Sequence, residues 1–399
     1  MDTTTKPVKL WSAGFVYLLT VGTISAISFG MIGPLIPPYA VSLGATLSLA
    51  GLVAGIFSFA ALIGRPFASV IGDRFNKKHM LMTFMFLNGF STVLYALAPN
   101  ITWLLPIRIL HGLIFSVSGT INFSLGAEYI PRERLGEGIG FIGITMIIGM
   151  AIGPNIGIFI LERFSYQVCF ILSGSGIMLA STLLFALKYK YNPPPGRGMG
   201  FGKLRFNDLI AVELMPNVIF AALLSIGTGL ASSYMIIFGS ERGIGNIGLY
   251  FVVHAIVVLI TRPMIGRMTD RKGVAYAILP GYILAAAAMI IIGASYSLVP
   301  ILFAAALFAI GAGGSFPAIQ TDCLKRLDIS RRTVATGTYL IGFDIGMTIG
   351  QIMGGVVSDA FNFRTAFTGA GSLMFMGFVC YFLYNKKTQK EKAVTGSDI

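Results

Sequence analysis

The chain has 399 residues, of which 55% are hydrophobic and only 11% are Asp, Glu, Lys or Arg, with a formal net charge of +13. Soluble domains carry about 25% charged residues, so the charge present is too little to cover a water-facing surface, and a soluble globular enzyme is excluded. The plentiful bulky apolar residues exclude a disordered chain, and the mean hydropathy of +0.81 leaves an integral membrane protein of many spans.

A bilayer core needs about 20 apolar residues per helix. The sequence predicts twelve such spans, at 12–36, 47–71, 79–97, 102–127, 136–161, 167–188, 209–238, 247–268, 274–295, 299–323, 333–356 and 365–385. They use about 240 residues and leave about 160 for short loops and tails. Runs such as Tyr282–Ala294 do not alternate apolar with polar residues, which excludes an outer-membrane barrel. The expected fold is therefore all-α, a twelve-helix membrane bundle. The first run continues into Pro34, Pro37 and Pro38 and reads as a helix rather than a cleaved signal.

Between spans 6 and 7, Lys188–Asp208 holds Pro193, Pro194, Pro195 and five cations, and it reads as a linker. The expected organisation is a tail (1–11), a six-helix bundle (12–188), the linker (189–208), a second six-helix bundle (209–385) and a tail (386–399). Of the 29 Lys and Arg, 23 fall on the side of the amino terminus in this topology and three on the other. The positive-inside rule then places both termini in the cytoplasm of a cell (plasma or inner) membrane. The basic excess needs no nucleic acid. Cys169, Cys323 and Cys380 form no CxxC pair and read as packing residues, so no metal and no cofactor are expected.

The two halves repeat. Arg65-Pro66 and Asp73-Arg74 recur 197 residues on as Arg262-Pro263 and Asp270-Arg271, and Gly149, Gly153 and Gly157 recur as Gly346, Gly350 and Gly354. Duplicated halves place a solute site at their interface, exposed alternately by rocking.

Ionisable residues inside spans are the candidates for function. Asp344 is the most deeply placed acid, near the middle of span 11, with Thr348 and Gln351 on the same stripe and Gly342, Gly346 and Gly350 on the opposite face. This stripe is expected either to line a central cavity, with Asp344 coupling protons or binding a cation, or to make a structural hydrogen bond. Arg108 lies about six residues inside span 4, too deep for comfortable exposure to lipid; snorkelling is the alternative. His111 shares its face and could carry a proton or be a satisfied hydrogen-bonding residue. His254 is assigned to packing. Asp73 sits in a short basic turn with Arg74, Lys77 and Lys78, where a carboxylate can cap a neighbouring helix. Glu128 is placed to hold Arg74. In span 5, Gly149, Gly153, Pro154 and Gly157 give a bendable helix that packs closely.

These motifs resemble those of the major facilitator superfamily over the whole length. Ser69–Lys78 is similar to its G-x-L-A-D-R-x-G-R-K signature with Ser69 and Asn76 in place of two glycines, and Gly266–Gly273, with Asp270 and Arg271, keeps the pattern better. Arg108-Ile-Leu-His111-Gly112 resembles R-x-x-Q-G with His for Gln. Gly149–Gly157 resembles the antiporter signature with Ile158 replacing its last glycine, and Gly30–Pro37 resembles the opening helix of twelve-helix drug:proton antiporters. The resemblance implies a conformational latch formed by Arg65, Asp73, Arg74, Lys78, Arg262, Gly266, Asp270, Arg271 and Gly273, with Asp73 capping helix 11 and Asp270 helix 5. It also implies that Arg108 tunes or relays the protonation of an acid, and that span 5 limits leakage.

The expected function is secondary active transport, by proton-coupled efflux of a small amphipathic or cationic solute or drug, with protons as coupling ion and the protein monomeric. The alternatives are a transporter of a metabolite, sugar or metallophore and, remotely, a membrane enzyme. The sequence has no HExxH, no GxSxG and no Walker loop, which argues against an enzyme and against ATP-driven pumping.

Overall fold

The computed structural model describes residues 10–72, 75–131, 134–191, 210–327 and 332–395. Asp73, Arg74, the linker prolines and both extreme termini lie outside these described residues. Among the described residues there is no strand, and twelve helices are long and apolar enough to cross a membrane. They are α1 (Ala13–Ile32), α2 (Leu47–Gly72), α3 (Lys77–Leu94), α4 (Ile101–Glu128), α5 (Leu135–Arg163), α6 (Tyr166–Leu183), α7 (Met215–Glu241), α8 (Leu249–Lys272), α9 (Ala275–Ala294), α10 (Leu298–Arg326), α11 (Arg332–Ala360) and α12 (Phe363–Thr395).

Short polar residues placed just before the apolar runs start several of these helices. The side chains of Ser12, Asn76, Asn100 and Asn362 accept from the backbone N–H three residues on, at 3.2, 3.2, 3.2 and 2.9 Å. Each satisfies a helix-end donor that would otherwise lack a partner. Two boundaries differ from the sequence expectation. The first span does not stop at residue 36 but passes through a 3-10 turn, Gly33–Leu35, into a further helix, Ile36–Ser42. Pro37 and Pro38 open that helix, where a missing N–H costs nothing. The last helix continues through Lys386 and Lys387 to Thr395, because Lys, Gln and Glu are good helix formers even where the apolar run has ended.

The chain forms two compact units, Met1–Gly33 with Ile63–Gly202, and Pro34–Leu62 with Lys203–Ile399. The segment Pro34–Leu62, which the sequence groups with the first six spans, thus packs with the second unit. In the first unit α1 packs on α5 and α6, and α3 on α4 and α6. In the second, α7 packs on α11 and α12, and α9 on α10 and α12. Each pairing recurs six helices later, which is the repeat of the sequence expressed as structure.

Glycine makes these pairings close. A Cβ on Gly153 would lie 2.7 Å from Gly30 Cα and 2.7 Å from Ile27 O of α1, and one on Gly149 would meet Ala26. Along α11, a Cβ on Gly342, Gly346 or Gly350 would run into the carbonyls of Val218, Ala222 or Ile226 of α7. Both helices repeat at four-residue steps, so backbone faces backbone over about one turn of α5 and about two of α11. Water-driven burial cannot hold helices together in lipid, and this contact supplies the dispersion that does. Gly346→Val should therefore destabilise the protein by about 1–3 kcal/mol through overpacking, read as a lowered unfolding midpoint in detergent micelles. Gly369→Ala in α12, where no atom lies within 4 Å of the new methyl, should leave the midpoint unchanged or raise it slightly.

Candidate functional site: buried ionisable residues of the two units

In the first unit, α4 carries Arg108, His111 and Ser118 on one face, at spacings of three and seven. The facing stretch of chain carries Asn88 in α3 and Tyr95 in the 3-10 turn Tyr95–Leu97. Arg108 is 5% exposed and His111 fully buried, so neither snorkels. Arg108 Nη1 donates to the Tyr95 hydroxyl at 3.2 Å, and that hydroxyl lies 2.6 Å from His111 Nδ1. His111 Nε2 lies 2.9 Å from Asn88 Oδ1, and Asn88 Nδ2 donates to Ser118 Oγ at 3.4 Å. Phe29 and Phe115, stacked with centroids 4.7 Å apart, cover one side, and Phe29 meets the His111 ring edge-on. Arg108 and His111 are thus brought together as the sequence implied. Asn88 and Tyr95 are additions, two polar residues at i and i+7 in a span that also carries Thr83, Ser91 and Thr92, so nothing in the sequence singled them out.

In the second unit, Asp344 of α11 is 6% exposed. Thr348 spends its hydroxyl proton on the Asp344 carbonyl at 2.8 Å. Gln351 is buried and its Oε1 accepts from Ser58 Oγ of α2 at 3.0 Å. The stripe expected from the sequence therefore divides its work: Asp344 supplies the carboxylate, Thr348 turns back on its own helix, and Gln351 ties α11 to the middle of α2. The glycine face packs on α7, with Ser225 Oγ donating to Phe343 O at 2.9 Å.

About two turns beyond Gln351 along α11, Asp359 receives the first turn of α2, from Ser48 Oγ at 2.6 Å and Ser48 N at 3.4 Å. Tyr234 OH of α7 lies 3.3 Å from Leu47 O and 3.0 Å from Gln351 O. Gly51, Gly55 and Gly355 leave room for this approach. In the sequence, Asp359 is only an acid near the end of a span.

Of the motif turns, the Asp73 and Arg74 assignments fall outside the described residues. Asn76, which stands where the family signature has glycine, has φ −61° and caps α3, whereas Gly273 at the equivalent place has φ +97° and ends α8. One turn needs glycine and the other does not. Lys78 donates to the carbonyls of Phe185 and Leu187 at 3.0 and 2.7 Å, closing the end of α6. Glu128 pairs with Lys77 at 2.6 Å and accepts from Tyr189 OH at 2.9 Å. Burial first, and then this carboxylate, push the Tyr189 hydroxyl above its ordinary range. The second unit has a similar cluster, with Asp322 Oδ2 accepting from Asn217 and Arg326 at 2.8 Å each and Arg326 donating to Tyr384 OH at 3.0 Å. Arg65 is half-buried in α2, next to Pro66. Arg262, Gly266, Asp270 and Arg271 lie along the exposed end of α8, with no atom within 4 Å of a Cβ on Gly266. Gly149, Gly153, Pro154 and Gly157 are buried in α5. His254 packs against Tyr250 and Phe308, at 6.2 and 5.8 Å between ring centroids.

Ser58→Ala would strand the Gln351 carbonyl in apolar surroundings and should cost about 1–3 kcal/mol. The double substitution Ser58→Ala with Gln351→Leu removes both partners and should recover most of the loss. A double-mutant cycle on detergent unfolding midpoints reads the coupling.

The sequence model of the Major Facilitator Superfamily matches residues 18–329 and 218–398. Multidrug resistance protein MdtG of Escherichia coli is 26% identical over 376 residues, covering 88% of this chain and 90% of that protein. An uncharacterized MFS-type transporter of Methanocaldococcus jannaschii is 24% identical over 362 residues, covering 88% and 92%. Among solved structures, a POT family transporter in complex with a thioalcohol-conjugated peptide superposes with a TM-score of 0.80 at 13% identity, covering 94% of this chain and 96% of that one. The nucleoside transporter NupG superposes with a TM-score of 0.72 at 11% identity, covering 93% and 99%. These structures share the fold. With twelve membrane-crossing helices, a repeated pairing of helices and a family match along nearly its whole length, the chain belongs to the major facilitator superfamily and is a multi-pass membrane transporter rather than an enzyme.

Proposed function

We propose that the protein exports a small amphipathic or cationic organic solute in exchange for protons, by alternating access between two six-helix halves. The observation that carries this reading is Asp344, a carboxylate 6% exposed at the middle of an apolar helix. An ionised acid in such surroundings is costly unless a cation or a proton offsets it. The ionised form attracts a cationic solute. Protonation removes the charge, weakens that attraction and lowers the cost of moving the helix through the hydrocarbon. Proton and solute then compete for one site, which is the requirement for exchange.

The sparsely ionised interior favours an apolar or cationic solute over a sugar, which would need more buried polar groups. The similarity to a protein named for multidrug resistance supports the same direction of transport. Arg108, the buried cation of the first unit, is assigned the tuning of an acid's protonation during the cycle. The turns around Asp73 and Asp270, with Arg65, Arg74, Lys78, Arg262, Gly266, Arg271 and Gly273, are assigned to a latch on the cytoplasmic side, and the excess of Lys and Arg there orients both termini inward. Glu128 holds the start of α3 through Lys77, and α5 serves as the tightly packed helix that limits leakage.

Flux of a fluorescent lipophilic cation in proteoliposomes under an imposed pH gradient tests the reading. The wild-type protein should accelerate flux when the gradient is applied. Asp344→Asn, permanently neutral, should lose the response and slow gradient-driven flux at least about tenfold, equivalent to about 1.4 kcal/mol. Wild-type flux indifferent to the gradient would remove proton coupling, and wild-type behaviour of the variant would remove Asp344 from the mechanism.

A further inference from the structure

Of the cations of α8, Arg262 lies deepest, 13 residues after Leu249 and 10 before Lys272, or about 20 and 15 Å from the two ends. Asp270 and Arg271 of the motif turn are eight and nine residues nearer the helix end. The face that carries Arg262 points inward. Phe251, Ala255, Val258 and Thr269 share its stripe and are buried. Val258 and Ile265 pack on Gly313 and Gly314 of α10. The lipid-facing side of α8 lies opposite, where Ile256, Ile260 and Met264 are exposed.

Arg262 is nevertheless exposed, unlike the stripe around it. On a face turned toward other helices, that exposure is to a gap within the second unit and not to hydrocarbon. Gly266, one turn on, has nothing within 4 Å of an added Cβ, so the gap extends along the helix. α10 packs on both α8 and α11, and the group across from Arg262 is on α11. Tyr339, 5% exposed, lies within electrostatic reach of both Arg262 and Asp344. Among the described residues the Arg262 guanidinium has neither a hydrogen bond nor an ion pair. In the same unit Arg242 donates to backbone carbonyls and Arg326 to Asp322. A guanidinium keeps its charge and directs five N–H donors in one plane. Held at mid-span with those donors unspent, it is costly unless a group in the gap takes them.

We propose that Arg262, beyond the latch assigned to its helix, is a specificity-determining residue that receives an oxyanion of the solute, such as a carboxylate. This rests on the reading of Asp344 as the site of the solute's cationic group, and it narrows the solute to an amphipathic zwitterion. Tyr339 and Asp344 are five residues apart on α11, about 7.5 Å along its axis. The anionic and cationic ends of one small solute can therefore be met together. One arginine and one acid serve one zwitterion, which fits an interior with few charges.

The test compares tetramethylrhodamine, whose free carboxylate makes it a zwitterion, with its methyl ester, a cation of nearly the same shape. Binding to the full-length protein in detergent is read by fluorescence anisotropy against protein-free micelles, with no pH gradient. The wild-type protein should bind the free acid about tenfold tighter than the ester. Arg262→Gln should lose about tenfold in affinity for the free acid and stay within about twofold for the ester. Arg262→Lys, which keeps the charge but not the planar fork, should fall between. Wild-type protein that binds the ester as tightly as the acid overturns the proposal, and that result needs no variant to fold. Equal losses for both dyes in an Arg262→Gln protein with the wild-type unfolding midpoint also overturn it, as does wild-type protein that binds neither dye. Binding is read at equilibrium, so a failure of proton coupling leaves the result intact. Asp344→Asn should weaken both dyes alike through their shared cation, and a failure of the Asp344 reading shows in that variant alone.

Discussion

Hydrocarbon offers no hydrogen bonds and no hydrophobic drive, and the rest of this structure follows from how the chain meets that constraint. Every span satisfies its own backbone as a helix. The helices then associate where glycine lets one backbone lie directly on another. The Gly149 and Gly153 face of α5 on α1, and the Gly342, Gly346 and Gly350 face of α11 on α7, are the same solution used twice. These seams lie in the same compact units as the buried Arg108 of α4 and the buried Asp344 of α11.

Several polar side chains within the spans are joined by hydrogen bonds into short chains. In the first unit, a run from Arg108 to a backbone carbonyl passes through Tyr95, His111, Asn88 and Ser118. A buried network of this kind gives specificity of geometry when every member is matched and instability when one is not. In the second unit, the ties Ser58–Gln351 and Ser48–Asp359 join the first half of α2 to α11, and Tyr234 closes the same region. Because these bonds involve Pro34–Leu62, the compact units do not follow the division of the sequence into consecutive sets of six spans.

Near the helix ends the two repeats have kept chemistry while changing residues. Glu128 with Lys77 and Tyr189 in the first unit has a counterpart in Asp322 with Arg326, Asn217 and Tyr384. Asn76 and Gly273 occupy equivalent turns, yet one works as a side-chain cap and the other through a positive φ. A departure from a family signature is therefore not a loss of the turn, because two different devices can start or end a helix at the same place.

Length, composition and the spacing of apolar runs determined the fold class and the number of spans, because a bilayer imposes one helix length and one kind of residue on every span; the internal repeat was legible in motifs recurring 197 residues apart, and the family in the resemblance those motifs carry. The depth of Arg108, His111 and Asp344 was also legible, since an ionisable residue stands out in an apolar run. Their partners were not. Asn88, Tyr95 and Ser58 are ordinary polar residues whose meaning depends on which helix faces them, and Asp359 differs from any loop acid only by what lies opposite. Those assignments, and the passage of Pro34–Leu62 into the second unit, were decided by tertiary packing, since hydrogen bonds between helices are set by rotation and register that no periodicity along one helix records.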